Sequence, residues 1–181
     1  MQTLLRSILL IPLLSLGLTS CGEKARIREN MVRFMKSEIV IPDDLECINN
    51  RDITPICKEI FMPNKFIIYY DSLDCSSCRI SHLVDIYPIY EMADTINFTV
   101  ITIFSPSCEN MEEVIEQLMM LNHPIPIYVD TQKSFSRINE KIPSDYRFHN
   151  FLIDNNNRVI YVGNPLTNTQ MSKLFIQTIL Q

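Results

Sequence analysis

Apolar and polar positions change their period several times along this chain, and each change marks an element. Lys65-Phe66-Ile67-Ile68-Tyr69-Tyr70 is a short run of β-branched and aromatic residues and reads as a strand. Residues 97–104 read as a strand buried on both faces, and 125–129 as another strand. Between them the spacing lengthens. Ile80, Leu83, Val84, Tyr87 and Tyr90 recur at helical intervals, and Met111, Val114, Ile115, Leu118 and Met119 do so within a helix over 109–121. Residues 132–141 form a weaker helical stretch. Phe151-Leu152-Ile153 and Val159-Ile160-Tyr161-Val162 flank the polar Asp154-Asn155-Asn156-Asn157, which predicts a hairpin. An amphipathic helix over 170–180 closes the chain. Upstream, Ile27, Met31, Phe34 and Met35 give 23–36 a helical spacing. Residues 38–42 predict a short strand, and 43–64 predict no regular structure.

Strand–helix–strand–helix–strand, then a hairpin and a helix, predicts an α/β fold: a central mixed sheet with helices on both faces. Functional groups in such sheets collect beyond the carboxyl ends of the parallel strands. Cys75-Ser76-Ser77-Cys78 lies just beyond one such end and opens a helix; Ser105-Pro106-Ser107-Cys108 lies beyond another. Free backbone N–H groups at a helix start favour a thiolate, and the thiolate is the reactive form. Two cysteines at this spacing also close a disulfide with each other. The segment therefore predicts a redox centre, with Cys75 the exposed attacking thiolate and Cys78 the buried resolving thiol. Asp71 and Asp74 oppose this, because a nearby carboxylate raises a thiol pKa.

In this order the elements over 38–181 resemble the thioredoxin-like family, in particular the envelope branch around TlpA and ResA and the alkyl-hydroperoxide-reductase/redoxin group. The likeness concentrates in 66–82 and in 151–163, where Phe151-Leu152-Ile153-Asp154, a turn, Arg158-Val159-Ile160 and Gly163 are similar to the family's final hairpin. It implies a thiol–disulfide oxidoreductase acting on protein thiols and disulfides, with Cys75 and Cys78 catalytic and no cofactor or metal. The chain departs from the pattern at several places. Asp74 stands where most members have Trp, Ser76-Ser77 contains no Pro, and Tyr69 replaces a buried acid. The family's cis-proline falls at about Phe148 or His149. His149, His82 and Cys108 are auxiliary candidates. Cys75, Cys78 and His149 also resemble the copper(I) ligands of the Sco proteins, so a copper carrier is an alternative, as is a redox-inactive binding module. The Pro-x-x-x-Thr/Ser-x-x-Cys pattern of peroxide-reducing relatives is absent.

The N-terminal segment predicts that this domain is exported from the cytoplasm. Arg6 precedes a mostly apolar run over 7–18, too short to span a bilayer comfortably. The run ends in Leu18-Thr19-Ser20-Cys21, which resembles a bacterial lipobox. That likeness implies a signal over 1–20, lipidation of Cys21, a tether over 21–37, and a membrane-anchored lipoprotein of the cell envelope. Gly22 rather than Asp after the cysteine favours the outer membrane over the inner. Removing the first 20 of 181 residues leaves 161, enough for one core. The net charge of −5, with no basic run, argues against nucleic-acid binding. In an oxidising compartment Cys47 and Cys57 predict a structural disulfide.

Overall fold

The computed structural model describes residues 22–49, 51–54, 63–121, 123 and 125–181. Among the described residues, seven strands form one mixed sheet: β1 (Glu46–Asn49), β2 (Asp52–Thr54), β3 (Lys65–Tyr70), β4 (Thr99–Phe104), β5 (Ile127–Val129), β6 (Asn150–Ile153) and β7 (Val159–Val162). Their spatial order is β2-β1-β5-β4-β3-β6-β7. β3 pairs parallel with β4, and β4 parallel with β5. β6 and β7 form the expected antiparallel hairpin, and β6 docks antiparallel on β3.

The β1–β2 hairpin corrects the expectation of irregular structure over 43–64. It pairs Cys47 with Thr54 and Ile48 with Ile53, and β1 joins β5 antiparallel. With four and three residues, these strands are too short to show a clear two-residue period. The stretch 38–42 contributes only an isolated bridge, Glu38 to Arg158. Even so, the Lys36 N–H donates to the Val159 carbonyl at 2.8 Å and the Ile39 N–H to the Asn157 carbonyl at 2.8 Å. These bonds cover part of the β7 edge, which would otherwise be open to pairing with another chain.

Helices pack on both faces. A helix over 22–34, α1, lies on one face together with α5 (Ser134–Ile138). There Phe34, Ile39, Cys47, Ile67, Tyr69, Phe135, Phe148 and Phe151 share a core. Phe34 is fully buried and meets Phe151 edge-on at 5.1 Å. Packing of the domain thus begins within the stretch read as a tether. The other face carries α2 (Ser76–Ser81), α3 (Tyr87–Ile96), α4 (Met111–Met120) and α6 (Thr169–Ile179) over Phe66, Ile68, Val100, Phe104 and Leu152.

The helical spacing after Cys75 is broken rather than continuous. α2 ends at His82, a 3-10 turn spans Leu83–Ile86, and α3 starts with Pro88 in its first turn. Proline has no N–H to donate, and its ring would clash with the carbonyl four residues back in an unbroken helix. Among the described residues no helix is long and apolar enough to cross a membrane.

α6 is held by one ring. Phe175 is fully buried and contacts Phe66, Phe98 and Tyr161, each with ring centroids 5.2 Å apart and edge-on. Phe175→Ala should therefore cost ~3–5 kcal/mol of unfolding free energy. Urea titration followed by far-ultraviolet circular dichroism measures this directly.

Candidate active site

β3 is buried along almost its whole length and delivers the chain to the site at Tyr70. The strand stops because Asp71 builds a turn. Its Oδ1 accepts the Leu73 N–H at 2.8 Å and the Asp74 N–H at 3.2 Å. Asp74 is then clamped by Arg79, Nη2 to Oδ1 at 3.1 Å, and the Arg79 guanidinium lies 5.5 Å from the Tyr70 ring centroid. The turn and the clamp set where α2 begins.

Cys75 caps α2: its Sγ accepts the Cys78 N–H at 3.3 Å. The two cysteines are joined in a disulfide, with Cα atoms 5.2 Å apart. Both are exposed. Cys78 is therefore not the buried thiol expected from sequence. α2 has only six residues and buries Ser76 and Ile80. Those positions share one face of the helix, so Cys78 projects from the other.

Of the auxiliary candidates, His82 and His149 line one groove with Asp74 and Arg79, and Cys108 does not. His82 is exposed and pairs with Asp85 at 3.3 Å, away from the cysteines along the chain. Cys108 is an exposed free thiol in a 3-10 turn beyond β4. Beside it, the Lys133 ammonium donates to the Ser105 carbonyl at 2.7 Å and to the Pro106 carbonyl. Burial lowers the Lys133 pKa, against the pull of Asp130 and Cys108. Cys47 is buried on β1 and takes part in a disulfide. Cys57, its expected partner, and Cys21, the expected lipidation site, lie outside the described residues.

His149 sits just before β6, where the family's cis-proline is expected. Among the described residues no peptide bond is cis. Instead a 3-10 turn, Tyr146–Phe148, leads into His149, whose carbonyl accepts the Tyr69 N–H at 2.9 Å. The imidazole is buried and packs on Tyr69 with centroids 5.2 Å apart. One of its nitrogens comes within 4.8 Å of both the Asp71 and the Asp74 carboxylates. Sequence reading named all three residues but did not bring them together, because 75 positions separate Asp74 from His149. Next to them opens a groove of about 610 Å³, lined by Tyr70, Asp74, Arg79, His149, Asn150 and Asn164 among others. The two asparagines carry no motif that sequence reading could detect.

No family model matches this chain, and no curated protein matches it. Solved structures do. A Chlorobium tepidum protein assigned as the thiol:disulfide interchange protein DsbE is similar at a TM-score of 0.51 and 12% identity, over 81% of this chain and 95% of its own. The exposed lipoprotein thioredoxin Etrx1 of Streptococcus pneumoniae gives 0.49 and 15%, over 74% and 98%. Yeast Sco1 with copper bound gives 0.43 and 12%, over 76% and 94%. The DsbE likeness agrees with the element order and the strand pairing. This chain has a thioredoxin-like fold.

Tyr70 reports on the site's electrostatics. Burial pushes its phenol up to about 12; Asp74 and Asp85 add to the rise and Arg79 opposes it. A pKa raised by folding favours the protonated form. The associated stability is therefore intact below the ordinary tyrosine value of about 10 and is lost as pH climbs through the folded value. Ultraviolet titration should show late-ionising tyrosinate, and Tyr70→Phe should remove one late step.

Proposed function

We propose that this chain is a membrane-anchored thiol–disulfide oxidoreductase of the bacterial cell envelope. The observation that carries the reading is an exposed Cys75–Cys78 disulfide capping α2, just beyond the carboxyl end of β3, an interior strand of a thioredoxin-like fold. The substrates are protein thiols and disulfides.

In the reducing direction the Cys75 thiolate attacks one sulfur of a partner disulfide. A mixed disulfide forms, and the partner's other sulfur leaves as a thiolate. The Cys78 thiolate then attacks Cys75 Sγ and releases the second partner thiol. Two electrons pass to the partner, and the chain is left in its disulfide form. The oxidising direction runs the same steps in reverse.

Local geometry favours Cys75 as the attacking group. The Cys78 N–H points at its sulfur, which favours the anion. Arg79 engages Asp74, which draws off part of the negative charge next to the thiolate. The groove is lined by Asp74 and Arg79, which flank the cysteine pair in sequence, and supplies a place for a partner segment, with polar donors at Asn150 and Asn164.

The anchoring half of the proposal rests on the Arg6, apolar run and Leu18-Thr19-Ser20-Cys21 order, with the outer membrane favoured. Glu23 lies two positions after Cys21 and pairs with Arg147 at 3.3 Å, and Arg147 lines the groove. A lipid on Cys21 would hold the groove near the bilayer surface.

Two experiments test these halves separately. In an insulin-reduction assay the chain should be active, Cys75→Ser should abolish turnover, and Cys78→Ser should accumulate mixed disulfides. Stoichiometric copper(I) binding without disulfide turnover would select the carrier reading instead. Cys21→Ala should release the protein from membranes or leave its signal uncleaved; an unmodified mature N-terminus elsewhere contradicts the anchor.

A further inference from the structure

The group formed by Asp71, Asp74 and His149 is not used by thiol–disulfide exchange. One oxygen from each acid and one ring nitrogen of the histidine lie within 4.8 Å of one another. Two carboxylates and an imidazole are donors that first-row divalent cations accept. Acidic clusters are common without a metal, and the histidine is what sets this one apart.

His149 is 3% exposed. Its Nε2 lies 3.0 Å from the Pro143 carbonyl oxygen. A carbonyl only accepts, so Nε2 carries the proton and donates. Nδ1 is then left with a lone pair, and it is buried with no hydrogen-bond partner. Metal-binding histidines show this arrangement: one nitrogen fixed by a backbone carbonyl, the other turned to the cation.

The acids are arranged compatibly. The turn bonds engage Asp71 through Oδ1, and the Arg79 clamp engages Asp74 through Oδ1. Oδ2 of each remains for a ligand. Both are part-exposed, and Asp74 and His149 also line the groove, which gives a cation a way in and leaves room for water ligands. Two carboxylates offset a double positive charge.

We propose that Asp71, Asp74 and His149 bind a divalent first-row transition cation, Zn²⁺ being the probe of choice, beside the disulfide. No cysteine takes part, so this site is distinct from a thiolate copper site and is present when Cys75 and Cys78 are oxidised. A cation there would cancel the two negative charges that flank Cys75.

The test uses the full chain with its disulfide intact, Cys108 blocked by iodoacetamide, and adventitious metal stripped with EDTA. Equilibrium dialysis against Zn²⁺ should give one ion per chain. Asp74→Asn and His149→Gln should each weaken binding by about tenfold or more. His82→Gln should leave it unchanged, which separates the site from the exposed His82–Asp85 pair. Cobalt(II) in place of zinc should show visible ligand-field bands without a thiolate charge-transfer band. Because His149 is buried, its variant is paired with Asp71→Asn, which retains the Oδ1 acceptor of the turn. Absence of stoichiometric zinc overturns the proposal. So does binding that persists in the Asp71→Asn/Asp74→Asn double variant, or a thiolate band with cobalt.

Discussion

Burial of β3 on both faces is the constraint on which the rest of the molecule depends. Phe66 and Ile68 enter the core under α2, α3, α4 and α6, while Ile67 and Tyr69 enter the core under α1 and α5. Its backbone is laddered to β4 on one side and β6 on the other. A strand held this way cannot slip, because a shift of one residue would exchange the two side-chain sets between the cores. Its end at Tyr70 is therefore fixed, and so is the start of the segment that carries the cysteines.

From that fixed end the site is built by polar contacts. Asp71 turns the chain, Arg79 holds Asp74, and the Cys78 N–H meets the Cys75 sulfur. Beside that end, the His149 carbonyl accepts the Tyr69 N–H. In this fold a cis-proline commonly stands close to the cysteines. Here a trans histidine at the equivalent turn brings an imidazole instead, with one ring nitrogen within 4.8 Å of an oxygen of each of two acids. The same loop that shapes the groove thus changes the chemistry next to the disulfide.

Much of this architecture was legible in the chain. The runs at 65–70, 97–104 and 125–129 gave the parallel centre, and Asp154–Asn157 gave the hairpin, because long apolar runs and polar turns are strong local signals. The β1–β2 hairpin was not legible. It has too few residues to show a period, and β1 owes its place to pairing with β5, distant in sequence. The break at His82 was signalled by Pro88, which outweighs a helical apolar spacing. The exposure of Cys78 followed from which face the short α2 buries, and that depends on Ser76 as much as on Ile80. The meeting of Asp71, Asp74 and His149 is a tertiary fact, set by β6 lying beside β3. No local pattern announces it.

The proposed exchange requires Cys75, rather than Cys78 or Cys108, to be the activated thiol. Both cysteines of the pair are exposed, so accessibility does not separate them, and the difference must come from the N–H directed at Cys75. The direct measurement is competitive alkylation of the fully reduced chain at mildly acidic pH, with the labelled cysteine identified by peptide mass spectrometry. Cys75 should be labelled first, ahead of Cys78 and Cys108. Earlier labelling of Cys78, or equal rates at all three sites, would contradict it.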